Sequence, residues 1–261
     1  MADDKNSVID IFHFDVLGKY SLIVHPFYDQ EIFASLEEKD ACVFYGSEPD
    51  IAFLAAFRNW MYGLADSYIR EWVAEKFFLS RFLLASLVFV VVYFFLGFVI
   101  RDPIPFVDEF IGAVVISVIV FFYLYRKDRS AYPVLERKSL FIKRIDSIKF
   151  FPSSFTSDVE KAVNNFMTSD FEKWEDFILN ISDLKKQKED KFPSLLNNLE
   201  VMLSKNPHKK NFSVMKKLYK KKDYFAVRAF LLSLDKKDAF LLSLYFAALE
   251  ADREVLNIRT V

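Results

Sequence analysis

Cysteine, histidine and glycine are all scarce in this chain, and each shortage closes a class of chemistry. One cysteine, Cys42, among 261 residues excludes a disulfide scaffold and a cysteine-based zinc cluster. Three histidines, His13, His25 and His208, leave little for a metal site. The five glycines end at Gly112. Phosphate-cradling loops therefore have no carrier, and neither GxGxxG nor GxxxxGKS/T occurs. HExxH, HxxxH, CxxC and a nucleophile elbow are missing as well. His13, Asp15 and His25 can meet on a sheet edge, but half-buried polar roles fit them better than a metal. Cys42 sits in the apolar run Ala41-Cys42-Val43-Phe44-Tyr45 and reads as a small buried hydrophobe. The sequence points to no catalytic residue, cofactor or metal.

Phenylalanine is abundant instead, at 31 residues, and 53% of the chain is hydrophobic. A soluble domain averages about 45–50%. Phe82 to Ile100 is 19 residues without a charge. Ile104 to Tyr125 is a second span of 22, with Asp108 and Glu109 near its start. At ~1.5 Å per residue each nearly covers or exceeds a bilayer core of ~30 Å. The link Arg101-Asp102-Pro103-Ile104-Pro105 allows only a tight turn, so the unit is a helical hairpin over 82–125. Arg70, Lys76 and Arg81 precede it, and Arg126, Lys127, Arg129, Arg137 and Lys138 follow, against Arg101 alone in the turn. The positive-inside rule then places both termini in the cytoplasm. Abundant Phe and Lys codons suit an AT-rich genome and a bacterial inner membrane. Asp108 and Glu109 read as solvated residues at the outer interface. Gly112, Ala113 and Ser117 give a small-residue spacing for close helix packing, within the hairpin or between copies as a homo-oligomer.

Residues 1–49 read as a small α+β segment. Strands are expected at Ile9–Phe14, Tyr20–Val24 and Ala41–Tyr45, with a short helix over Asp29–Leu36. Residues 50–81 read as an amphipathic helix leading into the membrane, continuous or broken near Arg81. Its apolar positions are Ile51, Leu54, Phe57, Trp60, Met61, Leu64, Tyr68 and Trp72. Residues 126–151 form a basic juxtamembrane segment. Within it, Leu140–Phe151 is either a strand adding to the N-terminal sheet at Ile9–Phe14 and Tyr20–Val24, or an interfacial helix.

Residues 152–261 lack glycine and read as an all-α cytoplasmic domain able to fold alone. Ser157-x-x-Glu160 and Ser169-x-x-Glu172 have the spacing of capping boxes. Lys185–Lys191 is expected as a solvated connection. Pro193 opens the next helix, and Asn206-Pro207 ends it. Asp223 and Asp235 are expected N-caps. The segment LYKKKDYFAVRAFLLSL, Leu218 to Leu234, resembles the middle of a tetratricopeptide repeat. Tyr224, Ala226 or Ala229, and Phe230 stand where such repeats place an aromatic, a small and a large residue. The resemblance lies within residues 212–250, and no second copy follows at a period of ~34. It implies stacked helices, as does a plain helical hairpin.

Lys205 to Lys222 contains eight lysines and no acid. Lys209, Lys210, Lys216, Lys217, Lys220, Lys221 and Lys222 are the candidate contacts for a protein partner or anionic lipid. Aromatic interleaving is sparse, so nucleic acid is not expected. The fold class is then a membrane protein with a two-helix hairpin, a small α+β part and an all-α C-terminal domain. The expected function is a non-enzymatic, membrane-anchored adaptor or scaffold that binds another protein. The alternatives are a channel or transporter subunit and an enzyme acting on lipid headgroups.

Overall fold

The computed structural model describes residues 8–99, 107–187 and 190–258. The chain is mostly helical with one four-stranded sheet, and it divides into two compact units. One holds the chain up to Phe57 together with Ser147 onward; the other is Arg58–Asp146.

The first unit is built on β1 (Ile9–Val16), β2 (Tyr20–Val24), β3 (Ala41–Tyr45) and β4 (Lys149–Pro152), in the order β2-β1-β3-β4. β1 and β2 are antiparallel, joined by a turn with Leu17 and Gly18 at positive φ. β3 runs parallel to β1, and β4 parallel to β3. The pleat divides the sheet's side chains between two faces. On one, Phe12, Phe44 and Phe151 meet across three strands, their successive ring centroids 6.2 Å apart. On the other, His13 lies 4.9 Å from Phe53 and Phe150 meets Phe57 edge-on. Phe53 and Phe57 belong to the first turns of α2 (Ile51–Lys76). The helix α1 (Gln30–Ala34) is capped by Asp29, whose carboxylate accepts from Glu31 N, and buries Phe33.

The helices α6 (Ser154–Thr168), α7 (Trp174–Gln187), α8 (Phe192–Leu203), α9 (Lys209–Lys220), α10 (Tyr224–Ser233) and α11 (Lys236–Ile258) complete this unit. Phe12, Phe14 and Val16 share one continuous core with α6, α7, α8 and α11. In α11 every residue from Ala239 to Ala248 is buried, because neighbours enclose it. The C-terminal helices are thus one face of a sheet fold. The expected separation of 1–49 from 152–261 gives way to a shared core.

Several local expectations are corrected. The N-cap of α6 is Ser153, whose hydroxyl accepts from Thr156 N; Ser157 lies inside the helix. Ser169 closes α6 rather than opening α7, its hydroxyl donating to the Phe166 carbonyl. Lys185, expected in a solvated link, is a buried residue of α7 paired with Asp252 at 2.6 Å. The helix before Asn206-Pro207 already ends at Leu203. Asp223 and Asp235 do accept from Ala226 N and Asp238 N at the starts of α10 and α11.

The second unit contains the rest of α2 with α3 (Phe78–Val99), α4 (Val107–Arg129) and α5 (Tyr132–Asp146). Two of these, over Phe78–Phe98 and Val107–Arg129, are long and apolar enough to cross a membrane. The expected turn at 101–105 lies outside the described residues. α2 and α3 are separated only at Phe77, four residues before Arg81. The buried stripe of α2 is Phe57, Met61, Ala65, Ile69 and Val73, a four-residue repeat. Ile51 and Trp60, expected inside, are exposed. α5 supplies the facing side chains: Tyr68 meets Phe141 edge-on, and Lys138 pairs with Asp66 at 2.7 Å. Leu140–Phe151 is therefore neither one strand nor one interfacial helix. Its first part ends α5, with Phe141 and Ile145 covered, and its last residues form β4. β4 joins β3 and not the β1–β2 edge, since β1 already has both neighbours.

Candidate functional site

The apolar helix pair is held together by small residues where the backbones approach. A Cβ added at Gly112 would lie 3.2 Å from Leu96 Cδ1. Ala113, the next residue, is fully buried. The Ser117 hydroxyl donates to the Ala113 carbonyl at 2.7 Å, which satisfies it within its own helix. Phe89 meets Phe110, and Phe78 meets Phe121, both edge-on. Only 11% of each apolar stretch is buried, and the outward face carries residues such as Phe94, Phe95 and Phe98. Asp108 is exposed. Glu109, expected in solvent beside it, is buried. One residue turns the helix by ~100° and places Glu109 one turn before Ala113, on the buried face.

At the other end of the pair stands Arg81, only 4% exposed although the sequence suggests an ordinary flanking charge. Its guanidinium donates to the carbonyls of Val73 at 3.0 Å, Ala74 at 2.7 Å and Phe77 at 3.1 Å. Val73 and Ala74 lie in the last turn of α2, and Phe77 lies at the break before α3. Asp128 of α4 approaches to 3.6 Å, and the Tyr125 ring lies 4.9 Å away. Arg81 thus caps one helix from within the next and ties both to α4. Nearby, Arg137 of α5 stacks over Trp72 of α2 at 4.3 Å.

In the first unit the buried charges serve the sheet. Glu160, assigned by spacing to a capping box, accepts from Asp15 N at 2.8 Å and from the Ser47 hydroxyl. Asn164, one turn on, accepts from Leu17 N and donates to the Asp15 carbonyl. Lys191 pairs with Asp10 at 3.1 Å and lies 4.2 Å over the Phe44 ring. Burial lowers the His25 pKa to about 3. Its Nδ1 accepts from Phe27 N, which leaves any ring proton on Nε2. Burial lowers the His13 pKa to about 4, against the opposing pull of Asp15 and the Ser47 backbone. Cys42 is half-buried, and burial, then Asp10 and Asp40, pushes its thiol up, the opposite of an activated nucleophile. Among the described residues no three His, Cys, Asp or Glu side chains cluster to hold a metal.

The lysines lie on and beside α9. Lys209, Lys210, Lys216, Lys217 and Lys220 are exposed on that helix, and Lys221 and Lys222 are exposed at its end. The opposite face buries Phe212, Met215 and Tyr219. α9 is fixed to α11 through Asp238, which meets His208 Nδ1 and accepts from Asn211, both at 2.6 Å. The tetratricopeptide-like stretch forms the end of α9 and all of α10, with Val227 and Leu231 inward and Phe230 half-buried. Comparison with protein-family models, curated proteins and solved structures finds no match to this chain.

Proposed function

We propose that this protein is a membrane-anchored adaptor. α3 and α4 cross a bilayer as a hairpin, and both chain ends lie in the cytoplasm, the bacterial inner membrane being the setting that suits the composition. The observation that carries the anchor is the exposed apolar surface. Eleven large apolar side chains of α3 and ten of α4 face outward among the described residues. Burying each such side chain is worth ~1.5–3 kcal/mol, so water is a poor solvent for this pair and lipid a good one. The apolar stretch of α3, 21 residues, spans ~32 Å, close to the ~30 Å of a hydrocarbon core. The cations of the flanks stand at the ends of α3 and α4 that adjoin α2 and α5, which supports the orientation.

Three features support an adaptor role. The hydroxyl of Ser117 is already satisfied inside its helix and offers a pore little. Cys42, His13 and His25 are poised as inert, uncharged groups. Lys209, Lys210, Lys216 and Lys217 of α9 are turned outward. They suit an acidic surface on a protein partner, as the C-terminal helices of a scaffold would. Affinity capture of the full chain from mild detergent tests this. A discrete stoichiometric partner is expected with the native chain. It should be lost when Lys209, Lys210, Lys216 and Lys217 are changed to Glu. Ion flux through reconstituted vesicles, with no partner retained, would overturn the adaptor in favour of a channel.

A further inference from the structure

α10 has two apolar faces. Val227 and Leu231 point into the core. On the other side Phe225, Ala229 and Leu232 are exposed, at a spacing of four and three residues that puts them on one stripe. Phe225 is 84% exposed, as open to solvent as Phe98 of α3. A surface helix ordinarily turns polar residues outward, so this stripe needs another explanation. Tyr224, at the start of the helix, is also exposed.

Cations bracket the stripe. Lys220, Lys221 and Lys222 precede α10, and Lys236 and Lys237 follow it; all five are exposed. Among the described residues none of the five enters an ion pair. Asp223 and Asp235, which flank α10 in the chain, turn their carboxylates to the helix starts they cap. Arg228, on the flank, is occupied by Glu172 at 2.8 Å and the Asp170 carbonyl. The surface is thus an apolar centre with free positive charge at both ends. At ten residues α10 extends ~15 Å, half of what a span needs. An aromatic and a leucine beneath, with lysines at the rim, match a bilayer interface, where an anionic plane overlies acyl chains.

We propose that α10 and the lysines at its two ends form a second membrane contact. The helix lies in the plane of the interface, with Phe225 and Leu232 at the acyl boundary and the lysines on anionic phospholipid headgroups. This rests on the hairpin reading, which keeps the unit tethered to a bilayer and raises the effective concentration of lipid. Each lysine adds to binding modestly, and the field fades within ~8 Å at physiological salt. The contact is therefore reversible and sensitive to lipid charge.

The full chain carrying Cys42→Ser serves as the background, with a nitroxide label at Phe225→Cys and, in a separate preparation, at Phe94→Cys. Both are placed in vesicles of phosphatidylcholine alone or mixed with phosphatidylglycerol, at high lipid excess. Collision with a water-soluble nickel chelate reads whether each label meets water. The label at 94 should be shielded in both lipids. The label at 225 should be shielded in mixed vesicles and reached by chelate in phosphatidylcholine alone. Changing Lys220, Lys221 and Lys222 to Glu should lower the ratio of docked to free α10 on the order of a hundredfold. A label at 225 that meets water in mixed vesicles, with 94 shielded, would overturn the contact and leave the hairpin standing. Shielding at 225 that ignores lipid charge and the lysine changes would identify a protein neighbour and overturn it as well. Exposure at both sites would overturn the hairpin itself, and this contact with it.

Discussion

At the scale of single residues, long-range polar clamps are the features that local spacing misassigns. Ser157-x-x-Glu160 has the pattern of a capping box, yet Glu160 accepts from a strand residue, Asp15. The pattern is local, whereas the partner is 145 residues away and enters only once the sheet packs on α6. Glu160→Ala should lose about 1–3 kcal/mol, because it strands the partly buried Asp15 N–H and the Ser47 hydroxyl. Glu160→Gln, which keeps an acceptor, should lose less; urea unfolding in detergent ranks the two. Arg81 follows the same logic. Arg81→Met removes three carbonyl contacts and leaves Asp128 alone, so it should destabilise more than Asp128→Asn, which leaves the carbonyl contacts in place. Thermal unfolding in micelles orders them. The histidines give a pH signature. His13 and His25 have folded pKa values of about 4 and about 3, below the ordinary 6.5, so the unfolded chain binds more protons. Their stabilising contribution is complete above pH 6.5 and falls as pH drops below it, until pH passes about 4 for His13 and about 3 for His25. The slope is up to ~1.4 kcal/mol per pH unit for each. Replacing His25 with Phe should flatten the stability curve over that window.

At the scale of elements, legibility tracks how far a segment depends on distant partners. β1, β2, β3 and the long apolar helices are readable because alternation and uncharged length are local properties. The opening of α5 is not, since its exposed side is strongly charged and only Val134, Phe141 and Ile145 face inward. Pro133, in the first turn, is the signal that marks its start. β4 spans four residues, none of them buried, and Ile148 just before it is buried. Nothing in so short a run announces a strand without the β3 edge beside it. The glycines expose the same dependence. A Cβ at Gly46 would stand 2.6 Å from Ser157 Cα, while one at Gly63 meets open space inside α2. Gly46→Ala should therefore destabilise by about 1–3 kcal/mol through overpacking between β3 and α6. Gly63→Ala should stabilise by up to ~1 kcal/mol through helix propensity. Melting midpoints of the two variants should move in opposite directions.

At the scale of the whole molecule, the chain leaves the sheet unit in α2 and returns to it through β4. Residues on either side of the apolar hairpin build one core, so 152–261 lacks the β1 face against which Phe155 and Phe240 pack. That fragment, expressed alone, should melt without cooperativity, contrary to what its regular helix spacing suggests. For a helix pair that crosses a membrane, the shared core requires both flanks on the same side, since they meet in one sheet. The most direct measurement is labelling of single cysteines in intact cells, in a Cys42→Ser background, with a membrane-impermeant thiol reagent. A cysteine at Asp102 should react from outside, and one at Ser154, exposed at the start of α6, should react only after the cells are opened. Labelling of Ser154→Cys in intact cells with Asp102→Cys protected would invert the hairpin. Protection of both until the cells are opened would remove it from the membrane.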